Sequence, residues 1–317
     1  MKGYSFLCQY QPKPSELPAF YQPGFFFNEP RHLHQQTTGP FYVLSALNRR
    51  TGRAEARCAF FVDADQAISP ATAPFGSVEF AEILPESVLD AFIQTLVNAV
   101  RAVGALTTLR LVNYPNCYAP EQAARLSVAL LRHGFQRIEA HQTFFLPITP
   151  EPFEQTIVAA ERRRLRKCRE AGFRADHWPL PNIARVVAFL EETRRQQGYA
   201  LTLLTERLTS LLQTFPEQFV VFTVRDDAQL AALTVAVRVR SDILYNFLPA
   251  SPLVYRPFSP MVMLLDEVVA YCRRQNIRVL DLGTSLDGDH QPKASLMRFK
   301  RNLGAQESPK PIFEKRL

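Results

Sequence analysis

Near its C-terminal end the chain reads Val279-Leu280-Asp281-Leu282-Gly283-Thr284-Ser285. A short apolar run that ends at a glycine is typical of a buried strand, and this run contains one carboxylate, Asp281. A helix-like stretch precedes it at about 259–275, and a shorter one follows at 294–303. This order of elements predicts an α/β unit with Asp281 on a central strand.

The first half of the chain repeats this order. A helix-like stretch at 85–103 is followed by a strand-like run at 106–112 and by a shorter helix that ends at Gly134. A Pro-Phe-small turn precedes the long helix in both halves, at 74–76 and at 257–259. Because the turn and the element order recur together, the sequence predicts a tandem duplication.

The 317 residues exceed what a single core usually fills, which favours two domains. Three prolines between residues 147 and 152 are typical of a linker. Strand-like runs separated by polar pairs predict an antiparallel meander at 218–248. We therefore expect an α/β (α+β) chain with domains at residues 1–150 and 151–317, the second opened by a basic helix.

The composition excludes several classes of protein. Hydrophobic residues make up 47% of the chain, which is ordinary for a globular protein and excludes a disordered or collagen-like chain. No apolar run is long enough for a transmembrane segment or a secretory signal, so a cytoplasmic location is expected. The five cysteines are scattered without a C-x-x-C pair, which favours reduced thiols.

The formal net charge is +7, and the basic excess is concentrated at 161–174, where a helix is predicted over about 154–171. The basic residues of this helix-like stretch are Arg162, Arg163, Arg164, Arg166, Lys167, Arg169 and Arg174. Such a patch favours phosphate-rich partners, but it is equally the pattern of a solvated helix face. The run alone does not distinguish RNA from a nucleotide, a CoA tail or an acidic protein.

These features together resemble the Fem-like branch of the GNAT acyltransferase superfamily, the peptidoglycan-bridge aminoacyltransferase-like proteins. The residues that carry the resemblance are Ser69-Pro70, Ala73–Gly76, the basic helix 162–173, Tyr245, Ser251-Pro252, Ser259-Pro260, 279–285 and 299–304. The resemblance implies tandem GNAT-like domains, each a mixed, mostly antiparallel sheet flanked by helices. It covers essentially the whole chain in order.

The resemblance also implies a reaction. The family transfers an acyl or aminoacyl group from a donor substrate, acyl-CoA or aminoacyl-tRNA, to an amine on a small molecule or a peptidoglycan precursor. No permanently bound cofactor is expected, and tRNA would enter only as a donor. No DNA partner is expected. A general RNA-binding protein is disfavoured, since the sequence lacks regular interleaving of aromatic and basic residues.

One departure from the family pattern concerns the donor. Acetyl-CoA enzymes of the superfamily usually carry a Gln/Arg-x-x-Gly-x-Gly/Ala loop whose backbone N–H groups hold the pyrophosphate. The matching residues 255–260 contain no glycine and two prolines, which lack N–H donors. The sequence therefore disfavours acetyl-CoA and leaves three alternatives: aminoacyl-tRNA, an unusual donor, or loss of catalysis.

Two residues are candidates for the catalytic role. Tyr245 can protonate a leaving group or position the donor, and its alternative is a core tyrosine. Asp281 is a carboxylate on an apolar strand, where it can act as a base of raised pKa. The alternative is that it is held in a salt bridge to a neighbouring arginine or caps a loop. Both lie on strands predicted to run through the centre of the second sheet.

Further candidates flank the predicted turns and loops. The candidates for substrate binding are Phe75, Gly76, Arg256, Ser259, Ser285 and Lys293. The candidates for binding the donor phosphates are Arg162, Arg163, Arg166, Lys300 and Arg301. For Lys300 and Arg301 the alternative is the polar face of a short helix.

No metal site is predicted. His32 and His34 have strand-like spacing but lack a third ligand, and Asp287-Gly288-Asp289 is explained as a turn. The other function that the sequence allows is a catalytically inactive GNAT-fold module that binds a metabolite or a protein. The missing glycine loop favours that alternative.

Overall fold

A computed structural model describes the chain over residues 3–36, 39–198, 203–286 and 291–317. It divides into two compact units. The first unit contains residues 1–142 and 308–317, and the second unit contains residues 143–307. The division thus falls eight residues before the predicted boundary, and the last ten residues lie with the first unit.

The first unit contains helices α1 to α3, strands β1 to β6 and the first part of β7. Its elements are β1 (Tyr4–Tyr10), α1 (Pro30–Gln36), β2 (Phe41–Asn48), β3 (Ala54–Asp63), β4 (Gln66–Ser69), β5 (Glu79–Phe80), α2 (Glu86–Val103), β6 (Thr108–Val112), α3 (Pro120–Arg132) and β7 (Gln136–Pro147). The last residues of β7 belong to the second unit.

The second unit begins within β7, at Thr143. Its elements are α4 (Phe153–Thr156), α5 (Ala159–Glu170), β8 (Arg174–Trp178), α6 (Ile183–Gln196), α7 (Thr205–Thr214), β9 (Phe219–Asp226), β10 (Gln229–Arg240), β11 (Ile243–Ala250), α8 (Pro260–Arg274), β12 (Val279–Thr284), α9 (Ala294–Asn302) and β13 (Gln306–Arg316). Most of β13 lies in the first unit.

Within the first unit the strand order is β1-β2-β3-β4-β6-β13, and β5 pairs with β3. Only β4 and β6 among these neighbours run parallel, because α2 connects them as a crossover. Helix α2 buries the predicted stripe, including Val88, Phe92 and Leu96, against this sheet. Gly104 ends the helix at φ +82°, a conformation that glycine adopts without strain.

Within the second unit the strand order is β7-β12-β11-β10-β9-β8. The predicted meander is present as β9, β10 and β11, and α8 connects β11 to its parallel neighbour β12. Helix α8 packs Val262, Leu265 and Val268 against Leu244 and Leu280 of these strands. The two units therefore share the order of strand, crossover helix and parallel strand.

Strands β7 and β13 each contain a boundary between the two units, which the predicted linker at 147–152 does not indicate. Residues 312–316 of β13 pair with β6, and this pairing assigns the end of the chain to the first unit. Residues 143–147 of β7 pair with β12, and this pairing starts the second unit before the prolines. None of the described helices is both long and apolar enough to cross a membrane.

Candidate active site in the second unit

The parallel strands β11 and β12 part in the middle of the sheet. They pair from Ile243 with Val279 to Tyr245 with Asp281, although β11 continues to Ala250. Beyond the last pair, β10 is the only strand that pairs with β11, and β7 the only strand that pairs with β12, in the part of the chain that the structure describes. Parting parallel strands open a slot into which an extended substrate can insert its own backbone-like groups.

Asp281 is positioned by a β-bulge at the mouth of this slot. The register of β12 against β7 shifts between Asp281 and Gly283. The Asp281 carboxylate accepts a hydrogen bond of 2.7 Å from the Gly283 amide and is 3% exposed. Bulges often re-aim side chains next to active sites, and here the bulge holds a carboxylate at the point where pairing ends.

Tyr245 lies opposite Asp281 on the same face of the sheet. Leu244 and Leu280 face α8, so the residues one position on face the other side. The Tyr245 ring passes so close to Gly283 that a Cβ atom there would lie 3.2 Å from it, which explains the glycine. Burial, and after it the Asp281 carboxylate, raise the pKa of the Tyr245 phenol, which therefore keeps its proton at neutral pH.

Lys300 reaches the same point from α9. Its Nζ donates to the carbonyl oxygens of Gly283 at 3.0 Å and Thr284 at 2.6 Å. The side chain is 6% exposed and its ammonium lies 5.4 Å from the centre of the Phe144 ring. Burial lowers the pKa of Lys300, which the Asp281 carboxylate partly offsets, leaving it at about 8.

An ammonium has three N–H donors, and two of those on Lys300 are directed to carbonyls. The third has no protein partner among the described residues. A buried cation with one such donor is suited to stabilise negative charge that develops on a substrate oxygen. The structure thus brings together Tyr245, Asp281 and Lys300 where the two strands part.

Ser285 and Lys293 flank the end of β12. The Ser285 hydroxyl is buried and finds no hydrogen-bond partner in the described residues. The Lys293 amide donates to the Ser285 carbonyl at 2.7 Å, which joins the strand end to the start of α9. Contact of either residue with a substrate stays a prediction. Arg301, next to Lys300, forms an ion pair of 2.6 Å with Glu307 instead.

The loop before α8 has little capacity to bind a pyrophosphate. Its amides donate to its own carbonyls: Tyr255 to Pro252, Arg256 to Leu253, Phe258 and Ser259 to Tyr255, and Val262 to Ser259. Ser259 has φ +56°, and the Arg256 side chain is exposed. A cradle requires outward N–H groups, and this loop uses those groups internally.

The basic helix is shorter than predicted. The stretch 154–171 divides into α4 and α5 because the Val158 amide binds the Asn302 carbonyl at 3.0 Å. In α5, Arg163 and Arg166 are exposed, and no ion pair is found for them within the described chain. Arg162 instead donates to the Ile157 carbonyl at 3.0 Å.

The candidates in the first unit occupy a different environment. The Phe75 ring is 2% exposed and contacts the rings of Phe25, Phe27 and Tyr118. A Cβ atom on Gly76 would lie 2.7 Å from the Ser69 hydroxyl oxygen. Both residues are therefore part of the packed interior of the first unit.

The described residues contain no group of three His, Cys, Asp or Glu side chains that could hold a metal ion. His34 binds the Pro12 carbonyl at 2.8 Å, and His32 packs against the Phe26 ring. The turn Asp287-Gly288-Asp289 lies outside the described residues.

Sequence reasoning missed how Lys300 is held. The sequence predicts a ligand for the donor phosphates, or the polar face of a short helix, whereas the structure buries the Lys300 side chain against Phe144 and two carbonyls. The available signal was the run Phe299-Lys300-Arg301 on a short helix, but the bulge at Gly283 that supplies the carbonyls has no sequence marker beyond the glycine.

Comparisons with known proteins bear on the fold. Residues 156–301 match the family profile described as an acetyltransferase (GNAT) domain. The crystal structure of FemX superimposes with a TM-score of 0.71 at 12% identity, covering 93% of each chain. No curated protein sequence matches.

Two further solved structures share the architecture. A tandem GNAT protein from the clavulanic acid biosynthesis pathway gives a TM-score of 0.54 at 14% identity, over 99% of this chain and 98% of that one. The C-terminal domain of a putative lysylphosphatidylglycerol synthetase from Agrobacterium fabrum gives 0.56 at 12% identity, over 84% and 82%. These likenesses confirm the predicted tandem fold.

Proposed function

We propose that this chain, which has the tandem fold of FemX and matches a GNAT domain in its second half, is an acyl- or aminoacyltransferase whose acceptor is an amine. The observation that carries the proposal is the parting of β11 and β12 beside Tyr245, Asp281 and Lys300. The site holds a carboxylate, a phenol and a buried ammonium at the end of one slot.

The reaction places few demands on the protein. The nitrogen of an unprotonated amine attacks the acyl carbon, an oxyanion develops, and the bond to the leaving oxygen or sulfur breaks as the nitrogen loses its proton. Positioning two reactants in one slot supplies much of the rate. The third N–H of Lys300 is placed to stabilise the developing oxyanion.

The leaving group needs a proton, and Tyr245 is the donor at this position. Its raised pKa keeps the phenol protonated until an alkoxide forms beside it, and the phenolate that results takes up the proton that the amine nitrogen loses, so that the tyrosine ends the reaction unchanged. Burial favours the uncharged form of Lys300, and the Asp281 carboxylate counteracts this by stabilising the ammonium. Asp281 therefore serves as a positioning residue. The roles of Tyr245 and Asp281 are part of this proposal.

The donor that best suits this chain is an aminoacyl ester carried by tRNA. The loop at 255–260 uses its amides internally, which disfavours the pyrophosphate of acyl-CoA. Arg163 and Arg166 are exposed on α5 and suit the phosphates of an RNA. Arg256, Ser259, Ser285 and Lys293 remain candidates for substrate contacts.

The acceptor is an amine on a small molecule or a peptidoglycan precursor, the class that the Fem-like resemblance favours. The donor and such an acceptor are both made in the cytoplasm, which is therefore the proposed location. Arg162 and Arg301 are retained as weaker candidates for the donor phosphates, since both already bind protein groups.

The test compares donors and keeps catalysis separate from binding. Calorimetric titration with CoA and acetyl-CoA should show no stoichiometric binding, while labelled aminoacyl-tRNA should bind with an affinity that falls with salt. Arg163→Gln with Arg166→Gln should flatten that salt slope. Arg185→Gln with Arg195→Gln, at two exposed arginines on α6, is the charge-matched control. Tight binding of acetyl-CoA would overturn the tRNA assignment.

The second candidate function is a binding module without catalysis, and the internally satisfied loop favours it. The two functions differ in one readout. If either donor is consumed by the wild type and its consumption falls in Lys300→Met, the chain is an enzyme. If neither donor is consumed with a panel of amines, the proposal of catalysis fails and the binding module stands.

A further inference from the structure

The first strand of the chain forms an open sheet edge without any charged residue. Strand β1 reads Tyr4-Ser5-Phe6-Leu7-Cys8-Gln9-Tyr10 and pairs along its whole length with β2, and no other strand of the described residues pairs with it. Leu7 is 38% exposed and Tyr10 is 58% exposed. Natural edge strands are usually protected by charges, prolines or short length, because an open edge invites another strand.

The register shows which backbone groups lie on the open side. Beyond the ends of β1, the Gln11 amide binds the Phe41 carbonyl and the Arg49 amide binds the Gly3 carbonyl. Odd-numbered residues therefore bond to β2, and even-numbered residues turn their N–H and C=O groups outward. For Tyr4, Phe6, Cys8 and Tyr10 these groups find no partner in the described part of the chain.

The other end strand provides a contrast. Strand β8 ends the sheet order of the second unit and carries Arg174 and Asp176, both exposed. Such charges make addition of another strand unfavourable. The open edge of β1 thus lacks the protection that the same chain places on its other end strand.

The sequence of β1 is complementary to itself. When two copies run antiparallel about Leu7, Tyr4 faces Tyr10 of the partner subunit, and Phe6 faces Cys8 of the partner subunit. Each of these pairs exchanges two backbone hydrogen bonds between outward-facing groups. Aromatic and apolar side chains meet across the strands, and no like charges oppose each other.

We propose that β1 is a dimerisation edge, and that its partner is β1 of a second copy of this chain, paired antiparallel about Leu7. The symmetry is twofold, so a single substitution at Leu7 acts twice at the centre of the interface. The proposal is independent of the reaction that the second unit performs.

The test is sedimentation velocity of the full chain over a range of micromolar concentrations. The wild type should sediment with twice the mass of one chain at high concentration. Leu7→Lys should raise the dissociation constant by at least about tenfold, because two ammonium groups then face each other. Leu180→Lys makes the same change at a leucine that is 90% exposed outside β1, and it should leave the dimer unchanged.

Charge pairing gives a second, specific test. Leu7→Lys and Leu7→Glu should each be monomeric alone, and their mixture should restore the dimer. Hydrogen exchange should protect the Phe6 and Cys8 amides only at dimer-forming concentrations, while the Ser5 and Leu7 amides stay protected throughout. A wild type that stays monomeric overturns the proposal, and this outcome includes the case in which the edge binds an extended peptide instead. A dimer that survives Leu7→Lys overturns it as well.

Discussion

The two units end their parallel strand pairs in different ways. In the first unit β4 and β6 pair up to Ser69, where β4 stops. In the second unit pairing stops at Tyr245 while β11 runs on to Ala250. The first arrangement closes the sheet, and the second leaves a slot beside polar side chains.

The polar groups at these two places also differ. In the first unit the Ser69 hydroxyl accepts from the Ser77 amide at 2.8 Å, and the Ser77 hydroxyl donates to Asn113 at 2.5 Å. In the second unit the Ser285 hydroxyl has no partner in the described chain. Lys300 directs two of its three N–H groups to carbonyls, which leaves one N–H for a substrate. One repeat satisfies its polar groups internally, while the other leaves donors for a substrate.

The largest expected effect is on the free energy of unfolding, through the packed interior of the first unit. Phe75→Ala should lower the free energy of unfolding by about 3–5 kcal/mol, because it empties a site walled by aromatic rings. Tyr245→Phe, at the open repeat, should change it by less than about 1 kcal/mol. Denaturant unfolding measures both values. Equal costs would show that the two repeats do not differ in this way.

The next effect concerns catalysis. Lys300→Met should lower kcat/KM for the transferred donor by about 10²–10³, because an oxyanion donor is lost. Lys315→Met is the matched control in the first unit, where the ammonium also lies over a ring, 5.9 Å from the centre of Phe135. Steady-state rates of the two variants decide the matter. A similar loss in both would assign the effect to stability.

A smaller effect is the pH dependence of stability. The folded pKa of Lys300, about 8, lies below its ordinary value of 10.5, so the unfolded chain binds more protons between these values. Its share of the unfolding free energy should therefore rise with pH, by about 1 kcal/mol between pH 7.5 and 9. Unfolding at both pH values, in wild type and Lys300→Met, isolates this share. An identical pH dependence in the variant would contradict the burial of a charged amine.

The smallest effect compares two serines at the repeated turn. Ser259 and Ser77 both have positive φ, +56° and +70°. Ser259→Gly should stabilise the protein by about 0.5–1 kcal/mol by relieving backbone strain. Ser77→Gly should destabilise it, because Asn113 loses its buried partner. Thermal unfolding of both variants checks the signs, and a stabilised Ser77→Gly would show that its hydrogen bonds contribute little.

Much of the fold was predictable from local pattern. The stripe of α2, the meander of β9 to β11 and the repeated Pro-Phe turn are all periodic or short-range features of the sequence. The facing positions of Tyr245 and Asp281 were also within reach, because both were assigned to neighbouring strands in the centre of the sheet.

The features that escaped prediction depend on contacts between distant residues. The burial of Lys300 requires carbonyls that only the bulge at Gly283 exposes. Phe75 was predicted to bind substrate. Its ring packs against Phe25, about fifty residues earlier in the chain, and against Tyr118, about forty residues later. Nothing local distinguishes a core phenylalanine from one that lines a pocket.

The pairing of β13 with β6 has a consequence for synthesis on the ribosome. Residues 1–142 emerge first, yet the sheet that they build gains its last strand only when residues 308–317 follow. At about 5–20 residues per second, that interval lasts on the order of ten seconds or more. During this time the edge of β6 that later pairs with β13 is exposed on the nascent chain, where chaperones or incorrect partner strands can bind it.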